Sequence, residues 1–312
     1  MENYQFFSGN PLDRSEKERR DENWIQAAAT ISSSKFLILA NFDSEDSGLK
    51  VLISPDDKEL IWVNNEFLKD KEIKNFPIFL GLFQGKSHFY IEISGRDDLI
   101  SLLNNDKNQS FYSIRSAAEV LSLSNSGILA QAVAQLNWHE SHGFCSYCGH
   151  RTIFQRGGQS RFCISCKKYH FPRTDPVVIT LVSSGEYCLL GQSRGRMASG
   201  NFYSVLAGFV DQGETIEEAV AREVMEEAGI AVSNVKYLFS QPWPFPYSLM
   251  IGCHANALTT LIEKDDEEMN DVQWFSRERI QKALLEPSTE LVLPGPIAIA
   301  YHLIKAWAFG EN

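Results

Sequence analysis

The stretch Gly208–Ile230 reads GFVDQGETIEEAVAREVMEEAGI, and most of what the sequence predicts follows from it. Thr215 followed by Glu218 is typical of a capping box, and Gly229 is typical of a helix C-terminus. The segment between them is therefore expected to be a helix. Apolar residues recur at every fourth position and give this helix one buried face. They are Ile216, Val220, Val224 and Ala228.

Three glutamates lie on a neighbouring face of the predicted helix. Glu223, Glu226 and Glu227 stand at positions i, i+3 and i+4, within one helical turn. Like charges this close repel one another, and a bound divalent cation relieves the repulsion. Oxygen-only ligands favour Mg²⁺ or Mn²⁺ over a softer metal. The alternative is an acidic amphipathic helix whose charged face is only solvated.

The spacing of the fixed residues decides between these two interpretations. Gly208, Glu214 and the run Arg222–Ile230 would match one such pattern by chance on the order of once in ten million chains of this length. The pattern resembles the Nudix box of the Nudix hydrolases and is complete at each fixed position. In that family, the loop and helix hold metal ions that bridge a diphosphate.

The resemblance implies a role for each polar residue of the box. The implied metal ligands are the carboxylates of Glu223 and Glu227 and the backbone carbonyl of Ala207. Glu226 is a further catalytic glutamate and a candidate ligand. Glu214 would pair with Arg222 and orient the helix.

The composition is that of an ordinary globular protein. Of the 312 residues, 44% are hydrophobic and 22% are charged, and the length suffices for about two domains with full cores. The formal charge of −11 argues against nucleic-acid binding through a broad basic surface. It does not argue against an anionic substrate, because metals and a few arginines can set the local field.

The sequence shows no targeting feature. No apolar run approaches the length of a membrane span, and the charged N-terminal stretch lacks the apolar core of a signal peptide. Six cysteines without an export signal favour a reducing compartment. The sequence therefore predicts a cytoplasmic location and no membrane partner.

Four cysteines form the second sharp motif. Cys145 and Cys148, then Cys163 and Cys166, make two C-x2-C pairs separated by fourteen residues. Four thiolates at this spacing predict one closed, structural Zn²⁺ site per chain, built from two knuckle turns. Two disulfides or a redox pair are the alternatives. Because residues 151–168 are rich in Arg and Lys, an accessory nucleic-acid role for this ribbon also stays open.

Short apolar runs predict the strands of the chain. In the first 138 residues, which carry no chemical motif, they lie at 36–40, 50–53, 60–63, 78–83 and 88–93. A helical pattern follows from Ser116 to His139, so a mainly β or mixed domain is expected. Near the box, strands are predicted at 177–182, 188–192 and 202–207. Strands flanking the acidic helix predict an α/β or α+β sandwich, and the resemblance to the Nudix hydrolases implies an α+β fold with an α/β/α sandwich.

Ser240–Met250 reads SQPWPFPYSLM, in which three prolines alternate with aromatic residues. Such a segment is expected to be a stiff loop that holds Trp243 and Phe245 in fixed positions. Rigid aromatic side chains near a phosphate site suit stacking on a base or a nicotinamide ring. An edge-strand turn with aromatic core anchors is the alternative.

The ribbon, the box and the proline-aromatic segment together resemble the NADH pyrophosphatase subfamily of Nudix hydrolases. The resemblance implies an N-terminal domain over residues 1–140, a four-cysteine zinc ribbon over 141–172 and a catalytic Nudix domain over 173–312. It also implies hydrolysis of NADH and NAD⁺ to AMP and nicotinamide mononucleotide, and removal of the NAD cap from RNA 5′ ends. A homodimer whose subunits both contribute to each site is implied as well.

The resemblance further implies a set of substrate contacts. Phe171 and Phe209 would sandwich the nicotinamide ring, with Trp243 contributing across the dimer. Phe171 replaces a tyrosine of many members, which keeps the stacking and removes a hydroxyl. The other expected contacts are Arg115, a backbone group of Ala298, and the segment Gln241, Pro242, Pro244, Phe245, Pro246, Tyr247 and Ser248.

An acidic loop supplies the last implied metal ligand and completes the expected mechanism. Glu268 lies six residues before Trp274, at the offset of a metal-binding glutamate in the family, and the neighbouring acids leave its register open by one residue. Divalent ions would bridge Glu223, Glu227 and Glu268 to the diphosphate and activate an attacking water. The sequence does not choose which glutamate takes the proton.

Two rival functions remain open at this point. One is a Nudix hydrolase of another diphosphate, such as ADP-ribose or a dinucleoside polyphosphate, and the SQPWPFP segment argues against it. The other is a non-catalytic nucleotide sensor or RNA-binding module, and the intact glutamates argue against that.

Overall fold

Two units make up the chain in a computed structural model that describes residues 5–42, 48–69, 71, 73, 75–194, 200–286 and 290–310. The N-terminal unit comprises Phe6–Arg173 together with Pro244–Tyr247. The C-terminal unit is built mainly from Thr174–Trp243 and Ser248–Asn312.

A mixed sheet is the centre of the N-terminal unit. Its strands are β1 (Lys35–Phe42), β2 (Gly48–Ser54), β3 (Glu59–Leu60), β4 (Trp62–Asn64), β5 (Ile78–Phe83), β6 (Lys86–Glu92) and β7 (Ser110–Ser113). The main path runs β3-β2-β1-β6-β5, and β1 and β6 are parallel. A strand occupies each position that the sequence predicted, although the one at 60–63 is split at Ile61. The expected mixed character is confirmed.

Helices cover both faces of this sheet. They are α1 (Glu22–Thr30), α2 (Asn65–Leu68), α3 (Asp97–Asn104), α4 (Ile114–Val120) and α5 (Leu123–Ser141). Residues of α1 and α3 share a core with Phe36 and Ile38, whereas α4 and α5 share one with Leu37 and Leu39. Alternate residues of β1 therefore face opposite helix layers. The sequence predicted the helical region of α4 and α5 and missed α1 and α3.

The ribbon within this unit is a small antiparallel sheet. It consists of β8 (Thr152–Gln155), β9 (Ser160–Cys163) and β10 (Tyr169–His170), in the order β10-β9-β8. The hairpin between β8 and β9 separates the two cysteine pairs along the chain.

The sheet of the C-terminal unit is also mixed. Its strands are β11 (Asp175–Ser184), β12 (Tyr187–Ser193), β13 (Leu206–Phe209), β14 (Val232–Trp243), β15 (Ser248–Ala257) and β16 (Met269–Ser276). The path runs β14-β15-β11-β12-β16, β11 and β15 are parallel, and β13 pairs with β11.

Two strand predictions for this unit need correction. The strand expected at 202–207 begins only at Leu206 and continues into the box as far as Phe209. The start of the expected proline-aromatic loop is instead the end of β14, where Pro242 lies opposite Leu249. An edge strand tolerates this proline because the missing N–H need not bond to a neighbouring strand.

Helices pack on both faces of the second sheet and make it a sandwich. They are α6 (Ile216–Ala228), α7 (Arg277–Leu285) and α8 (Ile299–Phe309). The apolar face of α6 packs with Val178 and Val182, whereas α8 packs with Ile179 and Leu181 from the opposite face of β11. The predicted α/β/α sandwich is confirmed. No helix in the described part of the chain is long and apolar enough to cross a membrane.

Candidate active site

Helix α6 begins and ends where the box predicts. The Thr215 hydroxyl accepts a hydrogen bond from the Glu218 N–H at 3.2 Å, and the Glu218 carboxylate accepts one from the Thr215 N–H at 2.8 Å. Gly229 closes the helix in the left-handed conformation, with φ of 68°. The capping box and the terminating glycine are confirmed. Together they fix the positions of the glutamates along the helix.

Gly208 determines where the Glu223 side chain can lie. A Cβ atom on Gly208 would be 2.0 Å from the Cδ atom of Glu223 and within 2.2 Å of both carboxylate oxygens. Only glycine therefore allows this carboxylate to approach the backbone of β13 so closely. Burial raises the pKa of Glu223, and its hydrogen bond from Arg222 offsets part of the increase. The sequence identified this glycine by its pattern but gave no reason for it.

Glu227 is the buried carboxylate of the site. Its side chain is 7% exposed, and among the described residues Oε2 has no hydrogen-bond partner. The pKa of Glu227 is raised to about 8, first by burial and then by the charges of Glu223 and Glu268, while a backbone hydrogen bond from Ala207 opposes the rise. An unpaired buried oxygen close to other carboxylates is a suitable donor for a hard divalent cation.

Glu268 precedes β16 and adds a third carboxylate to this acidic group. Its charge raises the pKa of both Glu223 and Glu227. The neighbouring acids have other contacts, because Asp265 accepts a hydrogen bond from a backbone N–H of its own loop and Asp266 forms an ion pair with a lysine. Of the acids in this loop, Glu268 is therefore the one whose charge acts on Glu223 and Glu227.

Arg222 connects four polar groups around the start of the box. Its Nε and Nη2 atoms bond to the two carboxylate oxygens of Glu214 at 2.6 and 2.8 Å, and Nη2 also donates to the Phe209 carbonyl at 2.9 Å. Its Nη1 atom lies 2.8 Å from Glu223 and 2.8 Å from Glu226. The hydrogen bonds from Arg222 lower the pKa of Glu214 to about 2. The expected pair of Glu214 and Arg222 is therefore present.

The carboxylates of the acidic group do not form a closed cluster. In the described ranges of the chain, the four cysteines are the only His, Cys, Asp or Glu group with ligand atoms all within 4.8 Å of one another. Glu223, Glu227 and Glu268 therefore do not close around a cation by themselves. Mg²⁺ fits such an arrangement, because it usually keeps water and substrate phosphate ligands beside one or two carboxylates.

The two phenylalanines expected at the nicotinamide ring belong to different units. Phe209 ends β13 and is 59% exposed. Phe171 follows β10 and is 68% exposed. The ring of Phe171 lies nearly parallel to that of Tyr169, with a centroid distance of 6.4 Å and an interplanar angle of 18°. Their exposure leaves both phenylalanine rings accessible for stacking.

Gln241 is fully buried and bonded inside the C-terminal unit. Its Nε2 atom donates to the Ile297 carbonyl at 2.8 Å, and its Oε1 atom accepts from the Ile299 N–H at 2.9 Å. These two bonds bracket Ala298, the N-cap residue of α8. Gln241 therefore holds the backbone on either side of Ala298, the residue expected to contact adenine.

The rest of the proline-aromatic segment divides between the two units. Trp243 ends β14, and Ser248 lies directly opposite it at the start of β15. Pro244–Tyr247 belongs to the N-terminal unit. There Phe245 packs against the core, and the Arg115 guanidinium lies 4.1 Å from the centre of its ring. Arg115 and Phe245, both expected at the substrate, therefore contact each other.

The four cysteines are brought together as the sequence predicts. The Sγ atoms of Cys145, Cys148, Cys163 and Cys166 all lie within 4.8 Å of one another. Tetrahedral Zn²⁺ with bonds of about 2.3 Å requires sulfur separations of roughly 3.8 Å, so these residues fit zinc. The Gly149 N–H donates to the carbonyl of the first cysteine and the Lys167 N–H to that of the third, each at 2.9 Å. Two similar knuckle turns therefore hold the cluster, and all four cysteines are free of disulfides.

Several basic residues of the ribbon are engaged within the N-terminal unit. Arg161 is 6% exposed and bonds to His139 and Thr152. Arg156 forms an ion pair with Glu16. These side chains hold the ribbon to the rest of the unit, which reduces the basic surface that the sequence suggested for nucleic acid.

Two domain families match this chain. The NUDIX domain matches residues 172–294, which include the box and the acidic loop. The NADH pyrophosphatase-like rudimentary NUDIX domain matches residues 46–138. The resemblance implied an N-terminal domain of the NADH pyrophosphatase type, which this match supports. It did not reveal that this domain is itself related to the NUDIX fold, because the N-terminal unit contains no copy of the box.

The chain is also similar to several characterised proteins. NAD-capped RNA hydrolase NUDT12 of Homo sapiens is 33% identical, over 98% of this chain and 73% of its own length. NAD-capped RNA hydrolase of Schizosaccharomyces pombe is 31% identical, over 98% of this chain and 93% of its own. NAD(P)H pyrophosphatase NUDT13, mitochondrial, of Mus musculus is 44% identical, over 64% of this chain and 59% of its own length. With its capped acidic helix and four-cysteine ribbon, the chain belongs to the Nudix hydrolases, in the branch of NADH pyrophosphatases and NAD-capped RNA hydrolases.

Proposed function

We propose that this protein hydrolyses the diphosphate of NADH and NAD⁺ to AMP and nicotinamide mononucleotide, and that it also removes the NAD cap from RNA 5′ ends. The observation that carries the proposal is the buried Oε2 atom of Glu227, which has no hydrogen-bond partner in the described chain. An oxygen of this kind inside a group of carboxylates is stabilised in its charged form by a bound cation. The names of the relatives support a dinucleotide or capped-RNA substrate.

The glutamates would hold Mg²⁺ or Mn²⁺ against the diphosphate. Glu223, Glu227 and Glu268 are the proposed ligands, together with the backbone carbonyl of Ala207 in β13. The bound ions would supply charge neutralisation at phosphorus and a more acidic water molecule. Gly208 would let one carboxylate sit against the strand, so that the ligands are held before the substrate arrives.

The remaining charged residues of the box would orient the ligands and transfer a proton. Arg222 holds Glu223 through an ion pair of 2.8 Å and is itself held by both oxygens of Glu214. Glu226 has a side chain that is 54% exposed and is a candidate for accepting the proton of the attacking water. Glu223 and Glu268 are the other candidates.

The substrate contacts follow from the exposed aromatic rings and the segment before α8. Phe209 and Phe171 would stack on the nicotinamide ring, with Trp243 contributing from the partner subunit of a homodimer. The backbone of Ala298, fixed by Gln241, would bond to the adenine. Pro242, Ser248 and the tip Pro244–Tyr247 would define the wall of the pocket.

Three further properties are part of the proposal. The four-cysteine ribbon would hold one structural Zn²⁺, whose presence metal analysis of the purified protein would test. The homodimer predicts twice the chain mass in a light-scattering measurement. A cytoplasmic location rests on the sequence alone, and the names of two relatives include the terms mitochondrial and chloroplastic.

The proposed activity is tested by identifying the products. The purified protein would be incubated with Mg²⁺ or Mn²⁺ and NADH, and separately with an NAD-capped RNA, and the products resolved by mass spectrometry. The expected products are AMP with reduced nicotinamide mononucleotide, and RNA that ends in a 5′-monophosphate. Metal-loaded protein that cleaves neither substrate would contradict the proposal and favour a nucleotide sensor.

A further inference from the structure

The tip of the β14–β15 hairpin is unusually rich in proline. Pro242, Pro244 and Pro246 lack an N–H. Alternate residues of the segment therefore have a backbone acceptor but no backbone donor of their own. A tight turn in this position would normally be held by bonds across the hairpin. Donors from outside the hairpin are therefore expected to take part in holding the tip.

Asn137 of α5 supplies them. Its Nδ2 atom donates to the Pro244 carbonyl at 3.3 Å and to the Pro246 carbonyl at 2.9 Å. One side-chain amide thus bonds to two of the three proline carbonyls. Asn137, Pro244 and Pro246 all belong to the N-terminal unit.

The ring of Phe245 holds the same tip in place. It packs against the core formed by β1, β2, α4 and α5, and its edge meets the Phe7 ring at a centroid distance of 5.8 Å. The Arg115 guanidinium covers the ring at 4.1 Å. In addition, the Arg173 guanidinium lies 5.7 Å from the ring of Tyr247. The tip is therefore held by polar bonds on its backbone and by packing on its side chains.

We propose that Asn137 is a positioning residue for the NADH reaction, acting through the hairpin tip on Trp243 and Ser248. These two residues flank the tip directly. The position of Pro244–Tyr247 therefore determines where Trp243 ends β14 and where Ser248 begins β15. The inference rests on the proposed function and assigns a role to the N-terminal unit. That unit would hold the four residues that join β14 to β15.

The test compares two amides on the same helix. Asn137→Ala removes the donors to the tip, and Asn137→Asp removes them while keeping the side-chain shape. Gln131→Ala is the matched control, because Gln131 also lies on α5 but bonds to Leu80 and Asn10. For each variant, kcat and KM are measured with NADH and with ADP-ribose, which lacks the nicotinamide ring.

Both Asn137 variants should raise the KM for NADH by about tenfold, the usual effect of losing one to two neutral hydrogen bonds. The kcat for NADH, the KM for ADP-ribose and the zinc content should stay near their wild-type values. An unchanged KM for NADH in both variants would overturn the proposal, as would an equal rise for the two substrates or the same rise in Gln131→Ala. Wild-type protein that does not cleave NADH would instead contradict the proposed function itself.

Discussion

Replacing Gly208 by alanine should disable the site through one identifiable clash. The new Cβ atom would lie 2.0 Å from the Cδ atom of Glu223, whereas carbon atoms in contact are usually about 3.5–4.0 Å apart. The carboxylate must therefore move by about 1.5 Å. A displacement of about 1 Å in a catalytic group lowers turnover by roughly 10²-fold. Because all the clashing atoms belong to the end of a flexible side chain, the free energy of unfolding should change little.

The assay is steady-state cleavage of NADH as a function of Mg²⁺ concentration, with thermal unfolding measured in parallel. Gly208→Ala should lower kcat by about 10²-fold and weaken the dependence on Mg²⁺, while the protein remains folded. Gly143→Ala is the control, because a Cβ atom there meets nothing within 4 Å. Wild-type kcat and Mg²⁺ dependence in Gly208→Ala would refute the placement of Glu223 against β13.

Three further changes have defined outcomes. Glu227→Gln should abolish turnover with the zinc content and folding intact, and substantial residual activity with Mn²⁺ would exclude Glu227 as the main ligand. Cys163→Ser should lower bound zinc below one per chain and lower the unfolding temperature, whereas full zinc content would contradict a site built from all four cysteines. The pKa of His139 is lowered to about 3, first by burial and then by the charge of Arg161. Because this value is below the unfolded value of about 6.5, the unfolded state takes up the proton first, and His139 destabilises the fold as the pH falls from about 6.5 to 3. His139→Phe should flatten that decline, measured as the free energy of unfolding at several pH values, by at most about 1.4 kcal/mol per pH unit.

Local features of the chain were predictable from the sequence. The capping box at Thr215 and Glu218 and the glycine at 229 depend on residues three to fourteen positions apart, and the structure has each of them. The two knuckle turns of the ribbon are local in the same sense. The apolar runs of the first domain also mark their strands, because a buried strand needs a continuous apolar segment.

Features that depend on distant contacts were not predictable. Gln241 is buried because its amide meets the segment before α8, 56 residues later for the Ile297 carbonyl. Phe245 packs against a core whose residues come from the N-terminal part of the chain. The hydrogen bond from Asn137 to Pro244 likewise joins residues 107 positions apart. Helix α1 was missed because it is only nine residues long and its buried face consists of Ile25 and Ala28, too few apolar positions to mark a helix in the sequence. The close approach of Glu223 to Gly208 required coordinates.

The preference for a nicotinamide dinucleotide is the central claim, and one ratio tests it most directly. We would measure kcat/KM for NADH and for ADP-ribose on the same zinc-loaded protein with saturating Mg²⁺, identifying the products by mass. NADH should be cleaved to AMP and reduced nicotinamide mononucleotide with a kcat/KM at least about tenfold above that for ADP-ribose, the factor that corresponds to about 1.4 kcal/mol. Equal values, or cleavage of ADP-ribose alone, would contradict the assignment and leave a Nudix hydrolase of another diphosphate.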